Sequence, residues 1–463
     1  MIALGVDVGT THTKVLALDV GSGATLALES APTPVHRDAA GEAHRPAEVL
    51  ARVIELIGRV AAALDQPAEV RALCVASVGE EVVLLDRAGQ AIGDAIAWYD
   101  PRGFDEAKAF LAGAGGTIVL ARRWPPDPTF SNFKLQRIRD HRPEAYAAAA
   151  TWTDLGDYVL AGLGAEVVMD WSHASRAGAF DLASRAWDVE TVEAVGLQLA
   201  FPRLVPSMSV IGELDHGLAT SAGLPTGVLL VTGGHDHLCA AYGAGVRSRA
   251  ELFLSAGTSE AHLALLAAPL EEPEAGGVDQ GCFVDDSSYY AHVNIHSGHF
   301  FQQWRRLLYG DVDDQAMYAE VEAAPEGADG ASFALTEDLR RGRLEDVPYD
   351  AGREVLMRAV LEGLARRSAA IVGELEAVSG SSYDLILAAG HPTRVPLWKR
   401  LRMAAYGRSM AAVDEPEPTA FGAAVMAAQA ADVPGAGALV ASRVAWDAAA
   451  GSEAGHRRRS GDV

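Results

Sequence analysis

The sequence predicts an α/β protein built from two similarly organised domains. Three observations lead there. A strand, an Asp-x-Gly-Thr-Thr turn and a second strand fill residues 2–18, and a strand, a Gly-Thr turn and a strand return at residues 251–266, one domain length later. After the first hairpin, apolar strands and an amphipathic helix follow a βββαβ order rather than a strict β-α alternation. The chain has 463 residues, 49% of them hydrophobic, which is enough for two or three cores.

The opening hairpin joins strands at residues 2–6 and 15–18. Gly9 lets the backbone approach a ligand closely. Thr10, Thr11 and Thr13 offer hydroxyl and N–H donors, and Lys14 adds a compact positive charge. Asp7 ends the first strand, where a carboxylate can hold Mg²⁺ against phosphate oxygens, through water. An ordinary hairpin with a threonine-rich turn accounts for the same residues when they are taken alone.

A third strand follows at residues 25–29. Pro46 opens a helix that runs to about residue 64, since Val49, Val53, Ile57 and Val60 keep helical spacing. Strands are expected at 72–77, 82–85 and 95–99. The loops at their ends carry Glu80 and Glu81, then Trp98, Tyr99, Asp100 and Arg102, a set suited to hydrogen-bonding a polyhydroxy ligand. Solvated charge and a packed Trp98 are the plainer account. Beyond a turn at Pro125, Pro126 and Pro128, helices are expected at 129–139 and 154–163. A polar run with one large aromatic occupies 170–175.

The second landmark is an aliphatic strand that runs through Thr232, Gly233 and Gly234 into His235-Asp236-His237 and a small-residue helix. An acid presented after two glycines at a strand end suits a general base. It also suits a helix cap. The flanking histidines are a third option as metal ligands, with no further candidate ligand close in sequence. The second hairpin places Gly257 and Thr258 in its turn. Ser297 and Gly298 then lead into a helix at 299–309. A long helix spans 355–378, and a strand at 385–389 ends at Gly390. Helices follow at 397–406 and up to about 430. The expected division is 1–246, 250–432 and a tail of 433–463, whose run from His456 to Arg459 reads as a disordered end.

A net charge of -24 argues against nucleic-acid or anionic-membrane surfaces. The three cysteines, Cys74, Cys239 and Cys282, are too scattered for a disulfide framework or a cysteine metal site. No apolar run has the length of a membrane span, and a core expected to start at Ile2 leaves no room for a signal peptide. A cytoplasmic location is expected.

Together these landmarks resemble the FGGY carbohydrate kinases over nearly the whole chain to about residue 430. The resemblance rests on the Asp7–Thr11 turn, GGHDH, LSAGTSE, AAG with PLWKRL, and EPEPTAFGAAVMAA. It implies an actin-like ATPase fold: two ribonuclease H-like domains with a cleft between them. It also implies phosphoryl transfer from ATP·Mg²⁺ to a sugar or polyol, such as a ketopentose or tetritol, with Asp236 as base. Thr10, Thr11, Thr13, Lys14, Gly257, Thr258, Gly298 and Gly390 would bind ATP. Glu80, Trp98, Asp100, Arg102, His235 and His237 would face the substrate, and a homodimer is plausible. The chain departs from the family at Gly390-His391-Pro392, where several glycines are usual. It departs again at 338–348, a short charged segment in place of a GERxP-like one, and at the histidines flanking Asp236. An ATPase acting on water, or a sensor without chemistry, remains the alternative.

Overall fold

Turn chemistry and apolar strands produce the same five-strand arrangement twice. The computed structural model describes residues 1–113, 116–118, 127–271, 277–336 and 341–446. In the N-terminal sheet the order is Ala24–Pro32, His12–Asp19, Ile2–Val8, Val70–Ser77, Leu229–His235, with Val210–Glu213 added at the edge. Strand Ile2–Val8 pairs antiparallel with its hairpin partner, Asp7 opposite Lys14, and parallel with Val70–Ser77. Helix Pro46–Ala63 supplies the crossover that a parallel pair needs.

The C-terminal sheet repeats this order with Tyr289–Ile295, Glu260–Leu266, Glu251–Ala256, Leu385–Ala389 and Ser409–Val413. Glu251–Ala256 is antiparallel to Glu260–Leu266 and parallel to Leu385–Ala389, with helix Arg353–Ser379 before the parallel strand. The internal repeat read from two short turns is therefore a repeat of whole sheets.

Helices Asp236–Gly243 and Pro418–Ala430 each follow the last of these parallel strands and pack on one another between the sheets. The second is apolar almost all round, as a helix enclosed on every side must be. Glycines set its distance. A Cβ on Gly422 would stand 2.0 Å from the Cys239 carbonyl oxygen, and one on Gly5 would stand 1.9 Å from that of Ala420. One apolar core runs through both sheets and these two helices, so the helix starts are held rigidly at the cleft.

Three expectations meet the structure differently. The tail begins with structure: Arg443–Trp446 pairs antiparallel with Ser409–Val413. Arg443 also donates to the carbonyls of Ala244 and Gly245, at 2.9 and 2.8 Å. The strand expected at 95–99 shrinks to Ala95–Ile96. The charged segment near 338–348 includes a strand, Gly342–Glu345, paired with Ser332–Leu335. Pro125, Pro126, Asp338 and the run from His456 to Arg459 lie outside the described residues.

Candidate active site

Asp7, Lys14 and Asp236 meet where the N-terminal sheet ends and the two central helices begin. Asp7 is buried, and Lys14 Nζ lies 3.7 Å from its Oδ2. Lys14 also pairs with Glu417, at the cap of helix Pro418–Ala430. Burial pushes the Asp7 carboxyl up to about 7, with the Asp236 and Glu417 charges adding to the rise and Lys14 opposing it. A buried carboxyl near enough to Asp236 and Glu417 to feel their charges offers oxygen ligands of the kind a hard divalent cation takes, so the residues present fit Mg²⁺.

Asp236 is the first helical residue after a strand that continues through Gly233 and Gly234 to His235. Gly234, at φ +148, passes so close to Ser172 that a Cβ would stand 2.4 Å from its hydroxyl oxygen. Ser172 Oγ accepts from His235 N at 2.9 Å, which fixes the backbone just before the acid. Asp236 Oδ1 accepts from His237 N at 2.7 Å and lies 2.9 Å from His235 Nδ1. Burial works to raise the Asp236 pKa. The charges of His237 and His235 and the bond from His235 outweigh it, holding the carboxyl well below the usual range. His235, not Asp236, occupies the cap position, and its side chain makes no cap bond. The flanking histidines stack on each other, 5.6 Å between ring centres, rather than converging on one point as metal ligands.

Among the residues expected to face a substrate, Glu80 is buried and bonded to Arg176, with His235 Nε2 3.9 Å from its other oxygen. His237 stacks in turn on His292 of the C-terminal sheet at 6.2 Å. Trp98 Nε1 donates to Thr10 Oγ1 at 2.9 Å, tying this segment to the turn of the first hairpin. Asp100 and Arg102 differ from their expected role. They pair with one another at 2.7 Å, and Asp100 also accepts from Glu42 N at 2.7 Å, so both brace a neighbouring strand. Glu81 is likewise taken, buried against His44 at 2.6 Å.

Thr11 is exposed at the turn, but Thr13 is wholly buried. Its hydroxyl lies 3.0 Å from that of Thr33, which donates to the Gly9 carbonyl at 2.7 Å. Thr13 therefore stiffens the turn from behind, because its position in the strand points it inward. Across the cleft, Gly257, Thr258, Gly298 and Gly390 come together. A Cβ on Gly298 would stand 2.0 Å from the Gly257 carbonyl oxygen, and one on Gly390, at φ +109, 1.9 Å from that of Ala256. The amide of His299, in the first turn of helix Ser297–Tyr309, donates to the Thr258 carbonyl at 3.0 Å. Beneath them Glu260 is buried with Arg402 at 2.7 Å and accepts from Ser297 Oγ at 2.6 Å.

Sequence reasoning missed Arg176, Asp279, His292 and the Glu260 network. Arg176 directly follows the polar run at 170–175, which was visible but without an assigned partner. Nothing local marks Asp279 or His292.

Residues 2–243 match the family model described as FGGY family of carbohydrate kinases, N-terminal domain, and residues 252–431 match the C-terminal domain of that family. The chain belongs to the FGGY family of carbohydrate kinases. The kinase is 22% identical to a xylulose kinase of Bacillus subtilis (strain 168) over 441 residues, covering 92% of this chain and 87% of the relative. It is 25% identical to an L-fuculokinase of Escherichia coli (strain K12) over 365 residues, 75% of each chain. Its fold is similar to that of a ligand-bound xylulose kinase from Lactobacillus acidophilus, with a TM-score of 0.86 at 18% identity, covering 96% of this chain and 93% of that one. The kinase thus has two actin-like ATPase domains, and its family uses ATP as phosphate donor to a small sugar. Among the described residues no helix is long and apolar enough to cross a membrane.

Proposed function

We propose that this kinase transfers the γ-phosphoryl group of ATP·Mg²⁺ to a hydroxyl of a small neutral ketose or polyol, with Asp236 as general base. The observation that carries the reading is the Asp236 carboxylate itself. It is held ionised by His235 and His237, at a helix start whose preceding backbone is fixed by the Ser172 bond, near Asp7 and Lys14.

The acceptor oxygen attacks the γ-phosphorus while its proton passes to Asp236. The bond from that phosphorus to the bridging oxygen breaks, and ADP leaves. Asp7 would hold Mg²⁺, which would supply positive charge against the phosphate oxygens. Lys14, the Thr10–Thr11 turn and the Gly257–Thr258 turn orient the phosphates. Domain contact excludes water that would otherwise accept the phosphoryl group.

A neutral acceptor is favoured because the arginines and the lysine described on the substrate side already have partners. Arg102 is paired with Asp100, Arg176 with three carboxylates, and Lys134 with two carbonyls. A ketopentose such as xylulose, or a tetritol, matches this pocket better than an aldonate.

The test is ADP release from ATP·Mg²⁺ across pentuloses, tetritols, hexuloses and aldonates, with Asp236→Ala as control. A neutral sugar should stimulate turnover, and Asp236→Ala should lower kcat by at least about a hundredfold with ATP binding kept. An unchanged kcat in the variant removes Asp236 from the role. Stimulation by aldonates alone removes the neutral acceptor.

A further inference from the structure

We propose that Arg176 is the positioning residue that aims Glu80 at the sugar, and that Asp279, supplied by the second domain, completes its setting. This rests on the reading of Glu80 as a sugar-binding carboxylate. Glu80 has a backbone φ of +60, a region that residues with a side chain enter only when their surroundings hold them there. Two cations hold it. Lys134 Nζ donates to the Glu80 carbonyl at 2.8 Å, and Arg176 Nε donates to Glu80 Oε1 at 2.5 Å. One carboxylate oxygen is thereby occupied. The other, Oε2, lies 3.9 Å from His235 Nε2, on the side of the catalytic base. An oxygen left over in that place is what a sugar hydroxyl needs as an acceptor.

The rest of the guanidinium is equally constrained. Its Nη2 donates to Asp127 Oδ2 at 3.0 Å, its Nη1 lies 3.1 Å from Asp279 Oδ2, and its carbon sits 4.9 Å over the Phe130 ring. Charge-assisted bonds of this kind are strong and directional, and a fork-shaped cation fits several at once.

Asp279 belongs to the edge strand Asp279–Cys282 of the C-terminal sheet. That edge docks on the N-terminal domain through further bonds. Ser175 Oγ accepts from Cys282 N at 2.9 Å, and Tyr289 donates to the Leu182 carbonyl at 3.1 Å. Arg185 donates to the carbonyls of Asp286 and Ser287, at 2.6 and 3.2 Å. Arg176 is therefore fully fixed only while the domains meet, and sugar affinity depends on a contact between them.

The test is steady-state kinetics of the full chain, with sugar and ATP varied separately, after screening xylulose, ribulose, glycerol and erythritol. The variants are Glu80→Gln, Arg176→Ala, Arg176→Lys, Asp279→Asn and the Glu80→Gln/Arg176→Ala pair, each checked for folding by its thermal midpoint. Arg176→Ala should raise the sugar KM about tenfold or more while the ATP KM holds. In the Glu80→Gln background the same change should add less than about twofold, because its route to the sugar is gone. Asp279→Asn should move the sugar KM in the same direction, and Arg176→Lys should restore part of the loss. If Arg176→Ala does not fold, Arg176→Lys and Asp279→Asn carry the same cycle. An unchanged sugar KM, an equal rise in the ATP KM, or additive effects with Glu80→Gln would each overturn the inference while leaving the kinase reading intact. A wild-type protein that none of the sugars stimulates removes the sugar reading and this inference with it.

Discussion

Replacing Gly298 with alanine tests the proposed nucleotide side of the cleft. Gly298 stands in the first turn of helix Ser297–Tyr309 and has an ordinary helical backbone, so alanine brings no torsional penalty. The effect is steric. The new Cβ would stand 2.0 Å from the Gly257 carbonyl oxygen and 2.9 Å from the Thr258 Cα, and ordinary contact begins near 3.4 Å. The obstructing atoms are backbone, which cannot swing aside as a side chain can. Either the turn or the helix start must yield by about 1.4 Å. The helix is braced by Ser297 on the buried Glu260, itself paired with Arg402, so the turn is the part that moves. Misplacing a reacting group by about 1 Å costs on the order of a hundredfold in rate. Gly298→Ala should therefore lower kcat/KM for ATP by about that factor and leave sugar binding intact. The assay is initial rate against ATP at saturating sugar, with sugar binding followed separately by calorimetry. A variant with wild-type kcat/KM for ATP would refute the claim that this turn positions the phosphates. Equal loss of sugar binding would refute the division of the cleft into two sides.

Two further outcomes concern stability. Gly5→Ala drives a Cβ to 1.9 Å from the Ala420 carbonyl oxygen and 2.5 Å from Ala424 N, so it should destabilise the protein by about 2–3 kcal/mol in denaturant unfolding; a loss below about 1 kcal/mol would show that the helix yields freely. His262 is pushed down to about 4, by burial first and by Arg402 as well, against the pull of Glu260. Its folded pKa lies below its ordinary 6.5, so the unfolded chain takes the proton first as the pH falls. The stability it contributes is complete above pH 6.5 and is lost as the pH falls toward 4. Thermal midpoints of His262→Gln should accordingly fall less steeply over that interval than those of the wild type, and equal slopes would refute the buried neutral imidazole.

What the sequence disclosed is what chain neighbours can build. Asp7, Gly9 and Lys14 lie within eight residues of one another, so the hairpin and its polar turn can be read without the rest of the molecule. The strand that ends at Gly233, Gly234 and Asp236 is equally local. Two such hairpins suggest a repeat, and the strand orders extend it to five strands in each sheet. The strand at Arg443–Trp446 escaped because four residues are too few to display alternation. Its evidence is the pairing with Ser409–Val413.

The site shows a different limit. Asp100 and Arg102 carry the charge and hydrogen-bonding capacity of ligand-binding residues, yet they satisfy one another and the Glu42 amide. Arg176 follows a polar run with nothing nearby to assign its partners, because they come from Glu80, Asp127 and Asp279 on three separate segments. A residue type announces only what a side chain is able to do. Whether it is free to do it depends on which partner it already holds, and those partners are fixed by the fold as a whole. The chemistry open to a ligand is the remainder after such pairing: the second oxygen of Glu80, the Asp236 carboxylate, and Asp7 with Lys14 as its only close cation among the described residues. That remainder carries no described, unengaged arginine or lysine on the sugar side. This is the physical reason to expect an uncharged acceptor, and it is the property on which the sugar panel bears most directly.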